Sequence, residues 1–265
     1  MNAVLYDIAL TAYIIATAAS FAYLASRRDG FWRVGVVMTQ AGWICHTLAL
    51  VARGVELGRP PVATLPETVS AVIWVAVLLE LWAERQYQIK VLGAFVLPVV
   101  LMLGLTLPTG LRALVLEPSH RSAWIWIHVI LALLGLAALV LNFAGAVMYI
   151  LQERQLKARR PGAVYYRLPP LETLDRLTYR ALTIGFPLLT AGLLLGALGG
   201  GASGVSLDPL TLVSVIMWVV YAVTLSGRAM GAWRGRRAAY FAILGFCALL
   251  LSLGASVVFH GRHGA

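Results

Sequence analysis

Long apolar runs, each about the length of a membrane-crossing helix, dominate the chain. A helix needs roughly 20 mostly apolar residues to cross a hydrocarbon core about 30 Å thick, and lipid offers its backbone no hydrogen-bond partner. We predict eight spans, at about 3 to 26, 34 to 55, 67 to 83, 91 to 108, 123 to 151, 181 to 199, 210 to 226 and 238 to 259. No basic segment precedes the first span, so we expect that span to remain in the mature protein.

The composition agrees with this pattern and excludes a soluble globular class. Hydrophobic residues fill 60% of the 265 positions and charged residues only 12%, with a mean hydropathy of +0.84. Such values are typical of polytopic membrane proteins. We predict an all-α transmembrane helix bundle that forms a single domain over residues 1–265. Its parts are five spans at 1–151, a cytoplasmic connector at 152–180 and three spans at 181–265.

Basic residues are concentrated in alternate connections between the spans. Of the 21 lysines and arginines, 16 lie in the connections after spans 1, 3, 5 and 7. Because basic loops remain cytoplasmic, we expect both termini on the periplasmic or extracellular side of a bacterial cytoplasmic membrane. The net charge of +10 then orients helices and attracts anionic lipid, and we expect no nucleic-acid partner.

The connector contains an amphipathic segment. Its apolar stripe consists of Leu168, Leu171, Leu174 and Leu177, and charged residues occupy the other face. This pattern predicts one short helix that lies on the cytoplasmic surface before span 6. Both an ordinary connector and a partner-binding surface fit the pattern.

All five histidines fall on the predicted outward side. His46 lies about two turns inside the end of span 2, and His120 and His128 bracket the start of span 5. His260 and His263 stand at the end of the chain. An imidazole within a span is costly and usually faces the bundle interior or a wet cavity. His46 and His128 are therefore candidate ligands or satisfied structural residues, while His120 fits a surface position and the last two fit a ligand pair or a solvated tail.

Haem suits these histidines better than a bare metal ion does. Axial ligation takes two neutral imidazoles from opposite sides of the ring, whereas zinc requires three or four closely spaced nitrogen or sulfur ligands. Cys45 and Cys247 lie inside spans, and the chain contains no CxxCH motif. The sequence therefore predicts non-covalent rather than c-type haem.

Aromatic and basic residues near the histidines fit the same cofactor. Trp43 and Trp124 precede His46 and His128 by about one turn, so a macrocycle could stack on either, although tryptophans also form interface belts. Arg53 is one of the outward arginines whose guanidinium matches a haem propionate. Snorkelling to the interface is the alternative role for each arginine.

The C-terminal part of the chain carries five motifs in a fixed order. They are LDRLTYR at 174–180, IGFPLLT at 184–190, Asp208-Pro209, WRGRRAA at 233–239 and Gly261-Arg262-His263. Together they resemble the CcsA-type cytochrome c assembly proteins. About 94 residues, from 172 onward, match in order and spacing, and the first half matches more loosely around His46, Glu67 and His128.

The resemblance implies a haem site on the outward face. In this family two periplasmic histidines are axial ligands and flank a tryptophan-rich loop that carries the macrocycle. By resemblance, His128 and His263 would bind the iron of a non-covalent haem b, and other cytochrome c assembly proteins would be partners. The further candidate contacts are His46, His260, Trp43, Trp124 and Arg53.

Two departures from the family pattern modify this expectation. Residues 199–207 contain no tryptophan, and Ser226-Gly227-Arg228 stands where haem-presenting members usually have a transmembrane histidine before the arginine. We therefore expect that the chain is not the cytochrome c synthetase itself, and we assign no catalytic residue. It is more similar to the smaller, eight-span HemX-like branch, which is linked to haem handling and to control of haem synthesis.

Three hypotheses follow from the sequence. The first is a haem-binding membrane protein that holds or delivers haem at the outer leaflet, and the second is a regulatory or scaffold protein that acts through its cytoplasmic connector. The third, a solute transporter, is disfavoured because Glu80 and Glu84 lie toward the cytoplasmic end of span 3. At that position we expect no intramembrane carboxylate pair of the kind that couples ion movement.

Overall fold

The computed structural model describes residues 2–62, 64–106, 123–158, 165–199, 209–231 and 233–261. His120 and His263 lie outside this description, as do the side chains of Trp124 and His260. The described residues form eight helices and no strand, in the order of the predicted spans. The helices are α1 (Asn2–Ser26), α2 (Asp29–Leu57), α3 (Leu65–Tyr87), α4 (Gly93–Thr106), α5 (Ala123–Lys157), α6 (Leu171–Gly199), α7 (Pro209–Ala229) and α8 (Arg236–Gly261).

Most of these helices have the length and apolar character of membrane spans. Five are long and apolar enough to cross a membrane, and two shorter apolar helices lie at Gly93–Leu105 and Val215–Ala229. The prediction of an all-α membrane bundle is confirmed. The number of crossings and the side on which the termini lie stay predictions. The five long stretches are Val4–Ser26, Asp29–Leu57, Pro66–Tyr87, Trp126–Lys157 and Leu171–Leu198.

Consecutive helices run in opposite directions, so their ends fall into two groups. We call these the outward end and the cytoplasmic end, after the predicted orientation. Contacts at the outward end join Tyr6 to Gly104, His46 to Ser70 and His128 to Gly192. Contacts at the cytoplasmic end join Trp32 to Glu84, Arg228 to Asp175 and Arg236 to Glu153.

Helices α3, α4 and α5 occupy the centre of the bundle. Helix α5 contacts α3, α4, α6 and α8, and its middle turns are buried on all sides. A helix that is apolar around its whole circumference suits this central position. The buried run in α5 comprises Ala137, Ala138, Leu139, Val140 and Leu141.

Small residues let α5 and α6 approach each other closely. A Cβ atom added at Gly135 would stand 2.7 Å from the Leu189 backbone nitrogen and 3.0 Å from the Gly185 carbonyl oxygen. One added at Gly185 would stand 2.8 Å from the Ala138 Cβ atom. Because lipid gives no hydrophobic force between helices, such close contact is a main source of their association.

The cytoplasmic connector is less separate from the bundle than predicted. Helix α6 begins at Leu171 and continues without interruption to Gly199, so no separate surface helix precedes span 6. Leu174 and Leu177 are buried, because the stripe that we assigned to the membrane surface packs into the protein core. The amphipathic segment is therefore the first part of a span whose length, about 43 Å, exceeds the hydrocarbon core.

Replacing Gly135 by Ala should destabilise the protein. The added methyl group meets backbone atoms at 2.7 and 3.0 Å, so the helices must separate at a cost of about 1–3 kcal/mol. Thermal unfolding in detergent, followed by circular dichroism, measures the effect. Gly30→Ala is the matched control because nothing lies within 4 Å of its Cβ position. Equal unfolding midpoints for the two variants would contradict the packing described here.

Candidate functional site

A pocket opens at the outward end between α1, α2 and the start of α3. Its volume is about 440 Å³. It lies at the end of the bundle where the sequence analysis placed the histidines. The polar residues in its lining are Tyr6, His46, Arg53, Arg59, Thr64, Glu67 and Ser70.

The Glu67 carboxylate is the centre of charge in this pocket. Arg59 Nη1 lies 3.0 Å from Glu67 Oε2 and Nη2 lies 3.4 Å from Oε1, which is a two-point contact. Arg53 Nε lies 3.8 Å from the same carboxylate and its Nη1 lies 3.7 Å from Glu56. Two arginines therefore face two glutamates, and an anionic ligand that binds here would compete with these carboxylates for the guanidinium groups.

The capping of α3 fixes the position of Glu67. The Glu67 backbone N–H donates to Thr64 Oγ1 at 3.3 Å, and the Thr64 backbone N–H donates to Glu67 Oε2 at 3.2 Å. This reciprocal arrangement is a capping box. It holds the carboxylate at the first turn of the helix, where the helix dipole also favours a negative charge.

His46 forms the floor of the pocket and is fully buried. Its Nε2 atom lies 2.9 Å from Ser70 Oγ, and its Nδ1 atom lies 3.4 Å from the Tyr13 hydroxyl. Tyr6 packs edge-on against the ring, with centroids 5.4 Å apart. A neutral imidazole has one donor and one acceptor nitrogen, and both have partners here. In this packing His46 is a satisfied buried residue, and it would have to give up one bond to bind a ligand.

Trp43 packs against α3 instead of lining the pocket of His46. Its ring stacks on Trp74 with centroids 5.4 Å apart and an interplanar angle of 15°. The Trp43 indole N–H donates to the Trp74 carbonyl oxygen at 3.1 Å, and the Trp74 indole donates to Thr47 Oγ1 at 2.7 Å. Both indoles are thus satisfied within the protein, as buried indoles usually are.

His128 sits where α5 and α6 meet near the outward end. Its Nδ1 atom lies 2.5 Å from the Gly192 carbonyl oxygen, which can only accept, so Nδ1 is the donor. In the neutral ring Nε2 is then unprotonated and keeps its lone pair. Glycine at 196 makes room for the ring, since a Cβ there would stand 2.7 Å from Cε1 and 3.4 Å from Nε2. This geometry fits an axial haem ligand, which must be a neutral imidazole with one nitrogen available.

The predicted site residues do not all converge in the described part of the chain. His46 and Arg53 share the outward pocket, whereas His128 lies at the α5–α6 contact. Trp43 faces α3. The predictions for His263, and for the side chains of His260 and Trp124, fall outside the described residues.

Comparison with known proteins decides the family. The family model described as "Cytochrome C assembly protein" matches residues 62–263. The chain belongs to this family. The matched region contains His128 and His263, whereas His46, Trp43 and Arg53 precede it.

Relatives named cytochrome c biogenesis protein CcsA are similar over most of their length. The protein from Guillardia theta is 30% identical over 254 residues, which cover 87% of this chain and 84% of the relative. The protein from Prochlorococcus marinus strain MIT 9515 is 31% identical over 244 residues, covering 82% and 78%. The protein from Pyropia yezoensis is 26% identical over 278 residues, covering 88% and 87%.

The partners of the two histidines in this cytochrome c assembly family member were not predicted from the sequence. Tyr6 and Tyr13 are seven residues apart and therefore lie on one face of α1. This spacing indicated that both aromatic side chains face the same neighbouring residue, which is His46. Gly192 and Gly196 are four residues apart, a spacing typical of close helix contacts in membranes. Ser70 carried no comparable signal, because a single serine within a span has many possible partners.

Glu80 and Glu84 are more enclosed than their place in the sequence indicates. Both side chains are buried, with 1% and 8% of the residue surface exposed, and their carboxyl groups are close enough to interact directly. They lie toward the cytoplasmic end of α3 and form a buried carboxyl pair, because α1, α2 and α4 cover this face of the helix. Their depth in the membrane stays a prediction.

Replacing His46 by Leu should destabilise the protein by about 1–3 kcal/mol, since the Ser70 and Tyr13 hydroxyls then lose a buried partner. Thermal unfolding of the purified variant measures the loss. Thr11→Ala is the control, because the exposed Thr11 hydroxyl donates only to the Asp7 carbonyl of its own helix. If His46→Leu were as stable as the control, the hydrogen bonds to Ser70 and Tyr13 would contribute nothing measurable to the stability of the protein.

Proposed function

We propose that this protein handles haem during cytochrome c assembly and holds non-covalent haem b at its outward end. The family and the printed role of its relatives in cytochrome c biogenesis support this function. The observation that carries the proposal is the geometry of His128. Haem supplies an iron atom whose axial positions accept imidazole nitrogen.

His128 has the features of a prepared ligand. The Gly192 carbonyl accepts a hydrogen bond from Nδ1–H, so the ring is held in the tautomer whose Nε2 atom would bind the haem iron. A backbone carbonyl in this position also increases the basicity of the ligand and fixes the ring plane. His263, which matches the family's second periplasmic histidine, is proposed as the opposite axial ligand.

The remaining candidates take supporting roles in this proposal. His46 becomes a ligand only by exchanging its bond to Ser70, which makes it a secondary position for the iron. Arg53, together with Arg59, meets a propionate by exchange with the Glu67 carboxylate, which both arginines now contact. Trp124 and His260 are proposed to contact the macrocycle from the ends of α5 and α8, whereas Trp43 supports the packing of α2 on α3.

The surroundings of the protein follow from the same proposal. Other cytochrome c assembly proteins receive or supply the haem, and anionic lipid binds the basic connections at the cytoplasmic end. We propose the bacterial cytoplasmic membrane as its location, with both termini outward. The missing tryptophans at 199–207 support haem handling rather than ligation to a cytochrome.

The second candidate function is a regulatory or scaffold role at the cytoplasmic end. The first turns of α6 extend beyond the membrane, and Glu172 and Arg176 form an exposed pair there. Tyr166, just before this helix, is 61% exposed. An exposed aromatic residue beside a charged helix face is a suitable contact for a protein partner.

Absorbance spectra of the full-length protein, purified in mild detergent from haem-replete cells, test the first function. We expect a stoichiometric Soret band and sharp α and β bands on reduction, as for low-spin haem with two histidine ligands. His128→Ala and His263→Ala should each remove one axial bond and convert the spectrum to a high-spin or haem-free form. Gly196→Ala should give a weaker change of the same kind, because its methyl group meets the His128 ring at 2.7 Å.

His120→Ala is the matched control, since it removes an outward histidine to which we assign no role. Its spectrum should equal that of the unchanged protein. A spectrum altered by His120→Ala but unchanged by His128→Ala would contradict the ligand assignment. Absence of any band after haemin addition, in protein that unfolds cooperatively, would favour the regulatory function.

A further inference from the structure

The cytoplasmic half of the bundle contains a buried acidic pair that the proposed haem function does not use. Glu80 and Glu84 lie one turn apart on α3 and are 1% and 8% exposed. Their carboxyl groups are close enough for a hydrogen bond to form between them when one of them carries a proton. The Oε2 atom of Glu80 is buried and has no hydrogen-bond partner among the described residues.

Three other helices enclose this pair. The Trp32 indole N–H of α2 donates to Glu84 Oε1. A Cβ atom added at Gly93 of α4 would stand 2.9 Å from Ser20 Oγ of α1 and 3.2 Å from Glu80 Oε1. The acidic pair therefore occupies the place where α1, α2, α3 and α4 meet, and glycine at 93 leaves room for its carboxyl oxygens.

The positive charges nearby favour a negative charge on one member of the pair only. Arg85 and Lys90 both act on Glu84, and Lys90 also binds Asp29 at 3.0 Å. Within the described part of the chain, no basic side chain acts on Glu80, whose charged neighbour is Glu84 itself. Glu84 therefore has an N–H donor and two nearby cations, whereas Glu80 has neither.

A hydrogen bond between two carboxyl groups requires a proton on one of them. Two ionised carboxylates in contact repel each other, and burial penalises each charge further. One of the two must therefore be a neutral acid, which donates to the other. The carboxylate belongs on the residue with donors and cations, and the proton belongs on the residue that lacks them.

We propose that Glu80 is a proton-binding site, a neutral carboxylic acid at neutral pH whose hydroxyl group donates to the carboxylate of Glu84. The unpartnered Glu80 Oε2 atom is then the carbonyl oxygen of a neutral acid, and burying it costs far less free energy than burying an oxygen of an ionised carboxylate. Nothing in this assignment depends on haem, because the pair lies at the end of the bundle opposite the histidines.

A metal cation is a poorer occupant than a proton. Calcium takes six to eight oxygen ligands and magnesium requires octahedral geometry, and the described residues contain no cluster of three or more histidine, cysteine or acidic side chains arranged for a metal. The Trp32 N–H group also points at the Glu84 carboxylate. A donor hydrogen at that position would repel a cation bound to the same oxygens.

An ionisable residue kept inside a membrane bundle usually has a role in transfer or conformational change. Glu80 lies near the cytoplasmic end of α3, where α1, α2 and α4 enclose it. Helices α1, α2 and α3 also form the outward pocket. Taking up or releasing this proton changes the charge at the junction of four helices by one unit. A rearrangement of α1 and α4 relative to α3 would therefore be coupled to the uptake or release of this proton.

Infrared spectroscopy of the full-length protein in mild detergent at neutral pH tests the proposal. The unchanged protein should show the C=O stretch of a protonated carboxyl group, with a shift on exchange from H2O to D2O. Glu80→Gln should lose this band and still fold, because its amide N–H replaces the acid as donor to Glu84. Glu84→Gln should keep the band at a shifted frequency, since Glu80 then donates to an amide oxygen.

Glu172→Gln is the matched control, because the Glu172 side chain is 83% exposed and its substitution should leave the band intact. A band that survived Glu80→Gln and vanished in Glu84→Gln would place the proton on Glu84 and overturn the assignment. So would the absence of a band in the unchanged protein, or a band that appeared only after removal of sodium, potassium and divalent ions. If Glu80→Gln failed to fold, the predicted frequency shift in Glu84→Gln would still decide the outcome.

Discussion

Lipid offers no hydrogen-bond partner, and this constraint governs every polar group in the bundle. Each buried polar side chain must find a partner within the protein, on its own helix or a neighbouring one, or leave an atom unsatisfied. His46 meets the requirement with Ser70 and Tyr13, and Trp43 meets it with the Trp74 carbonyl. Glu80 meets it only in part, and for that reason its protonation state becomes a property that can be inferred from the structure.

The same constraint links helix packing to the histidine proposed as a haem ligand. Helices α5 and α6 approach closely because glycines occupy both sides of their contact. That approach brings the Gly192 carbonyl within 2.5 Å of His128 Nδ1. The tautomer of His128 therefore depends on a contact whose other members, such as Gly135 and Gly185, lie about two turns away along the two helices.

Much of the fold was predictable from the sequence, because span length and apolar character follow directly from the thickness of the membrane. The order of all eight helices in the described residues agrees with the predicted spans, although α6 begins well before the predicted start of span 6. The connector was harder, since the stripe with Leu174 and Leu177 has the same periodicity whether it faces lipid headgroups or a protein core. Periodicity identifies a helix face but does not identify what covers it.

Prediction of the site was limited by the same ambiguity. The sequence identified His46 and His128 as costly residues within spans, but only the neighbouring helices determine which ring nitrogen remains available. It also placed Glu80 and Glu84 toward one end of α3 and failed on their surroundings, because position along a helix does not determine which neighbouring helices cover a side chain. Pairwise contacts between distant segments are the information that a single sequence does not supply.

The acceptor for His128 is a main-chain oxygen, and this choice has an evolutionary consequence. No side-chain replacement at position 192 can delete that oxygen, so the tautomer is encoded in interhelical spacing rather than in residue identity. Substitutions that widen the spacing would weaken the bond by degrees and lower the electron donation of the imidazole. If His128 binds haem iron as we propose, the size of residues that never touch the cofactor would then adjust the redox potential of that iron.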